Sequence, residues 1–111
     1  MTLPVVELPT FTALQSNTGA DFVVELVDIF VDESPGMLAE LRAAWVAGSA
    51  DRFRRAAHSM KTNAMSFGAL RLGEAARALE LRGLPADAAP IDDLQACWHE
   101  AAAALQALAR G

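Results

Sequence analysis

"ADRFRRAAHSMKTNAMSFG", residues 50–68, is the stretch that decides the fold once it is wound into a helix. At about 100° per residue, Ala56, Ala57, Met60, Ala64 and Phe67 all fall within roughly 60° of Phe53. One narrow apolar stripe on a segment otherwise rich in arginine, serine and asparagine describes an amphipathic helix with a single buried face. Ser49 offers an N-cap hydroxyl before it and Gly68 breaks it, so the spacing predicts a helix from about Ala50 to about Ser66.

The same reading extends in both directions. "NTG" at 17–19 opens a long segment in which Phe22, Leu26, Ile29, Phe30, Met37, Leu41, Ala44 and Trp45 recur at helical spacing. Ser34-Pro35 interrupts that segment and is expected to kink the helix rather than end it. Gly48 reads as its C-terminal cap. Downstream, "ALRLGEAARALELR" (69–82) predicts another helix, "GLPADAAP" (83–90) a loop, and Ile91, Leu94, Trp98, Ala101, Leu105 and Leu108 mark a last helix. No segment alternates as a strand does. Four main helices with short connections imply an all-α antiparallel bundle, with a short additional N-terminal helix near "FTALQ" (11–15). A chain of 111 residues fits one domain, 1–111, in which residues 1–7 are expected to be flexible or loosely docked.

Composition narrows the function classes. No apolar run approaches the ~18 residues that span a bilayer, and "MTLPVVELPT" has no basic region of the kind that begins a signal peptide. A lone cysteine, Cys97, suits a reducing compartment, so a cytoplasmic location without membrane association is expected. The net charge of −5 argues against nucleic acid as the partner. That charge is unevenly spread. Residues 1–41 hold seven acidic and no basic residues, whereas 42–82 hold eight basic against three acidic. A basic zone inside an acidic chain suggests a small negative partner, such as a phosphoryl group or an acidic pocket on another protein.

His58 stands in that zone, about 140° from Phe53 and therefore exposed. Arg54, Arg55, Lys61 and Thr62 are its neighbours one turn away, and Met65 shares its strip. Three cations within a turn oppose protonation of the imidazole, leave a ring nitrogen free to attack, and would stabilise a phosphoryl group after transfer. No carboxylate lies within a turn of His58 on its own helix, so no orienting acid is apparent. No second His or Cys lies at i±4, so no metal site forms on this helix alone.

The segment "AAHSMKTNAMSFGALRLGEAARALE" (56–80) resembles the histidine-containing phosphotransfer (HPt) domain of bacterial multistep phosphorelays. His58, Met60, Lys61, Gly68, Ala69, Leu72, Leu79 and Glu80 occupy the places of the family's motif, and "GADFVVELVDIFVDESPGMLAEL" (19–41) is similar to its preceding helix, internal proline included. The resemblance implies an up-down four-helix bundle in which His58 carries a phosphoryl group on Nε2. That group would pass to or from the aspartate of a response-regulator receiver domain or a hybrid histidine kinase. Lys61 would be the charge partner of the phosphoryl group, with Arg54, Arg55, Ser59, Thr62 and Met65 on or beside the docking surface. No metal or cofactor is expected in this chain; Mg²⁺ would belong to the receiver. Without a P-loop or other nucleotide-binding motif the chain should not phosphorylate itself, and is a carrier more than an autonomous enzyme. A single exposed histidine is most simply presented by a monomer.

One departure stands out. The family usually has glycine after the lysine, and here that place holds Thr62. Its β-branched side chain would crowd the ring, or its hydroxyl would hydrogen-bond the imidazole or a phosphate oxygen, with altered transfer rate or partner choice as the expected result. The alternative function is a non-phosphorylated helical docking module that binds a receiver or kinase and competes with the true relay. A third reading, a metal-dependent enzyme, needs carboxylates and both histidines to converge, which the helix phases oppose. His99 belongs to the outer side of the last helix, Cys97 reads as half-buried, and Trp45 and Trp98 as core. Asp21, Glu25, Asp28 and Asp32 form one stripe, read as a solvated outer face.

Overall fold

Glycines at positive φ stand at or next to four of the helix ends. The computed structural model describes residues 2–111. Among them are five helices and no strand: α1 (Leu8–Thr18), α2 (Ala20–Ala47), α3 (Ala50–Ser66), α4 (Leu70–Arg82) and α5 (Ala89–Arg110). Gly48 closes α2 in the left-handed conformation (φ 68°, ψ 23°), and Ser49 Oγ accepts the Arg52 N–H at 3.4 Å to open α3. Gly68, at φ 78°, turns the chain from α3 into α4. It is also the point where the N-terminal segment crosses, since a Cβ here would meet Glu7 O and Thr10 Cβ, each at 2.9 Å.

One boundary differs from expectation. The last helix begins at Ala89, inside the stretch read as a loop, because Pro90 sits in its first turn, where a missing N–H leaves no intrahelical bond unmade. As expected, Pro35 does not end α2, which spans 28 residues. Beside it the buried Ser34 hydroxyl donates to the Phe30 carbonyl. Of residues 1–7, Met1 lies outside the described residues. Leu3 O accepts from Arg71 Nε at 2.5 Å, and the Glu7 N–H donates to Gly68 O at 2.7 Å.

In the packing, α3 lies against α2 and α4, α5 against α2 and α4, and α1 against α2. The core takes Phe53, Ala57, Met60 and Ala64 from α3, with Leu41, Leu72, Ile91, Leu94 and Leu105 from its neighbours. Phe30 and Phe67 stack obliquely with centroids 5.2 Å apart. Burying Phe53 or Met60 contributes about 1.5–3 kcal/mol each, so the phase of α3 is fixed by residues on both sides of His58 in sequence.

The α2 phase is a correction. Val23, Val27, Ser34 and Leu38 are buried, whereas Phe22 and Ile29 are 49% and 51% exposed. Outside its acidic stripe the N-terminal half of α2 is apolar, so its composition offers two candidate stripes. Tertiary packing chose the one roughly 100° from Phe22. Trp45 and Trp98 are half-buried at the core's edge rather than inside it. Trp45 Nε1–H reaches Pro85 O at 2.9 Å, and Trp98 Nε1 has no partner among the described residues. Among the described residues no helix is long and apolar enough to cross a membrane.

Candidate functional site

The phase of α3 turns His58 outward, with its side chain 56% exposed. The burial of Leu72, Ala76 and Leu79 on α4 in turn aims Glu80 at α3. Met65 lies against Gly73 while His58 lies against Glu80, so the two helices run in opposite directions along this seam. Glu80 is the functional residue that reasoning along one helix missed. Its Oε2 is 2.5 Å from His58 Nδ1 and its Oε1 accepts from Lys61 Nζ at 2.6 Å. Only 14% of its side chain is exposed.

Charge fixes the direction of these contacts. The hydrogen bond from Lys61 pulls the Glu80 carboxyl below its ordinary value of 4.5; desolvation opposes this, and the contact with His58 adds to the lowering. An ionised carboxylate only accepts, so Nδ1 carries the proton. The in-plane lone pair of a neutral imidazole then sits on Nε2, which has no hydrogen-bond partner among the described residues. A carboxylate that fixes the tautomer and orientation of an imidazole performs the task of the acid in a Ser-His-Asp triad.

The expected ring of free cations is corrected. Arg54 and Arg55 both bond Asp51, each at 3.0 Å, and Lys61 is engaged by Glu80. No acid lies within one turn of His58 on α3 itself; the acid arrives from 22 residues downstream. Of the other predicted residues, Ser59 lies exposed in an open cleft with Glu40, Arg52, Arg55 and Ala56. Thr62 is exposed one turn beyond His58, and its carbonyl accepts from Ser66 Oγ at 3.0 Å. Met65 is exposed on the same strip, with its thioether filling the notch left by Gly73, where a Cβ would come within 2.6 Å of Sδ. Gly73 therefore has a local reason that the motif alone does not supply.

Residues elsewhere stay apart. His99 is exposed on α5, and Cys97 is half-buried with its thiol pushed above its usual value by burial, helped by Glu100 and Asp93. Asp21, Glu25, Asp28 and Asp32 are all exposed. Among the described residues no group of His, Cys, Asp and Glu could hold a metal ion.

Neither the curated proteins nor the solved structures give a match to this chain. The family model of the Hpt domain matches residues 25–109, which takes in α3 and α4 whole and most of α2 and α5. That domain implies histidine phosphotransfer in phosphorelays, and with its outward histidine on α3 this chain belongs to the Hpt domain family.

Proposed function

We propose that the chain is a phosphorelay intermediate in which His58 Nε2 takes a phosphoryl group from, or returns it to, the aspartate of a response-regulator receiver domain. The observation that carries this reading is the contact of Glu80 with His58 Nδ1, which leaves Nε2 as the free nucleophile on an exposed surface. In the forward step the Nε2 lone pair forms the N–P bond while the P–O bond to the aspartate breaks, and the electron pair leaves with the aspartate carboxylate. Nδ1 keeps its proton throughout. The phosphorylated ring is then a cation facing the ionised Glu80, and in the reverse step it departs as neutral imidazole. Phosphoryl transfer demands positioning and charge compensation more than covalent machinery, which suits a module of this simplicity.

Lys61 acts in this scheme by gripping the second oxygen of Glu80 and by adding positive potential beside the phosphoryl group. Arg54, Arg55, Ser59, Thr62 and Met65 contribute to receiver contact, and the receiver brings Mg²⁺. The fold of the reading is an antiparallel up-down bundle of α2 to α5 with α1 as the short additional helix. The contacts of Glu40 with Arg52, His58 with Glu80 and Arg42 with Asp92 support it. The module works as a cytoplasmic monomer that carries phosphate without making it.

The test is intact mass after incubation with phosphorylated receiver domains, for wild type and His58→Gln. An acid-labile, alkali-stable phosphoryl adduct on the wild type alone is expected. Binding of a receiver without any adduct would overturn phosphotransfer in favour of the competing docking module.

A further inference from the structure

The exposed apolar face of α2 is left without a partner inside the fold. Ile29, half exposed, lines a groove in which Leu14 of α1 and Leu26 and Met37 of α2 meet Phe67, and Phe22, equally exposed, stands seven residues before it on the same side of α2. Asn63 and Ser66 of α3 line its other wall. Ser66 is about 80° round α3 from His58 and two turns on, so the groove continues the surface that holds the histidine.

Charge distinguishes this face from the rest of the molecule. All seven cations from Arg42 to Arg77 hold a carboxylate. Asp21, Glu25, Asp28, Asp32 and Glu33, all exposed on the same half of α2, hold no cation among the described residues. We propose that the α2 face carrying Phe22 and Ile29 selects the receiver, by taking a receiver helix whose apolar ridge is flanked by lysine or arginine. This rests on the phosphorelay reading and names the chemistry of the partner that the reading requires.

The charge also argues against other occupants. A second copy docked face to face would bring one acidic stripe against another. An anionic membrane or a nucleic acid would be repelled by the same carboxylates. A basic-flanked helix gains twice, because apolar contact supplies affinity while the opposed charges steer encounter and reject receivers of the wrong sign.

The experiment measures dissociation constants for purified receiver domains from the same genome, sorted by the charge flanking their apolar helices, at low and high salt. The full chain is compared with Phe22→Ala/Ile29→Ala and with Glu25→Lys/Asp32→Lys. Wild type should prefer basic-flanked receivers. The apolar pair of substitutions should weaken their binding about tenfold or more at both salts, consistent with anchors at an interface. Charge reversal should weaken it about tenfold at low salt and roughly twofold or less at ~0.5 M, where screening is short-ranged. Wild-type affinity in both variants, a preference for receivers without basic flanks, or no receiver binding at all would overturn the proposal. So would a wild-type dimer in sedimentation that the apolar variant abolishes. Phosphoramidate, a small donor that needs no docking, separates the two readings. If it labels His58 in every variant, weakened receiver binding locates the defect in docking. If it never labels His58 while the binding pattern holds, phosphotransfer is refuted and the docking face stands.

Discussion

Replacing Glu80 by glutamine keeps the shape of the side chain and removes one charge and one acceptor. The carboxylate gives one oxygen to His58 Nδ1 at 2.5 Å and the other to Lys61 Nζ at 2.6 Å. A glutamine oxygen can serve only one of these donors. With its oxygen on Nδ1, the amide NH₂ confronts Lys61, donor against donor; with its oxygen on Lys61, the NH₂ meets Nδ1, which can accept only by moving the ring proton to Nε2 and blocking the nucleophile. Either a contact or the free Nε2 lone pair is lost, and in both orientations the phosphorylated ring loses the anion that faces its positive charge. Acid–base and orienting groups are typically worth about 10²–10⁴ in rate, and an imidazole 56% exposed lets water replace part of the loss. Transfer from a phosphorylated receiver, followed by rapid quench and intact mass, should therefore slow by about 10- to 100-fold in Glu80→Gln. The dissociation constant for the unphosphorylated receiver should stay within about twofold, because Glu80 lies under the ring rather than on the docking surface. A second readout isolates the positioning role: imidazole nitrogen chemical shifts should show the proton no longer confined to Nδ1 in Glu80→Gln. A wild-type transfer rate together with an unchanged tautomer would refute the assignment.

Three further outcomes test the surroundings. Thr62→Gly should speed transfer, because the groups on Cβ stand one turn from the imidazole, at a loss of helix stability under about 1 kcal/mol; an unchanged or slower rate would sink the crowding argument. Gly68→Ala should destabilise the fold in urea by at least about 1–2 kcal/mol, from the left-handed backbone alone, before the clash with Glu7 and Thr10 is counted; wild-type stability would contradict the close crossing. The acid limb of stability should also report Glu80. Its carboxyl is lowered in the fold, so its contribution is present above the ordinary 4.5 and is lost as pH falls through the lowered value. Urea midpoints of wild type and Glu80→Gln should differ at neutral pH and converge in acid; a constant gap would count against the ion pairs.

What could be read from the sequence follows from the range of the forces involved. The ends of α3 were legible because Ser49 and Gly68 act on their own backbone, and its phase was legible because a single stripe competes with no other. The phase of α2 was not, since Phe22 and Ile29 form as good an apolar pair as Val23 and Phe30 until α1 and α3 occupy one side. Pro90 misled in the opposite direction: the same residue breaks a helix interior and suits a first turn, and only the start of α5 decides which applies. Glu80 was visible as a motif position, but its part at the site required the antiparallel seam of α3 and α4. A helical wheel holds the neighbours of one helix and none from the next.

That missing neighbour changes the electrostatic argument for how a partner is met. The basic excess of residues 42–82 suggests a broadly positive docking zone. In the fold most of it is consumed: Lys61 is matched by Glu80, Arg52 by Glu40, Arg71 by Glu100 and Arg77 by Glu74. Arg54 and Arg55 share the single carboxylate of Asp51, so this trio keeps one net positive charge close to His58. The largest group of unpaired charges among the described residues lies on α2, and it is negative. The surface therefore presents a small positive region at the nucleophile and a large negative one beside the apolar groove. Such an arrangement orients an incoming domain rather than merely attracting it. A receiver that offers an acidic pocket to His58 and a basic-flanked helix to α2 satisfies both regions in one pose. A rotated pose sets like charges against each other at both.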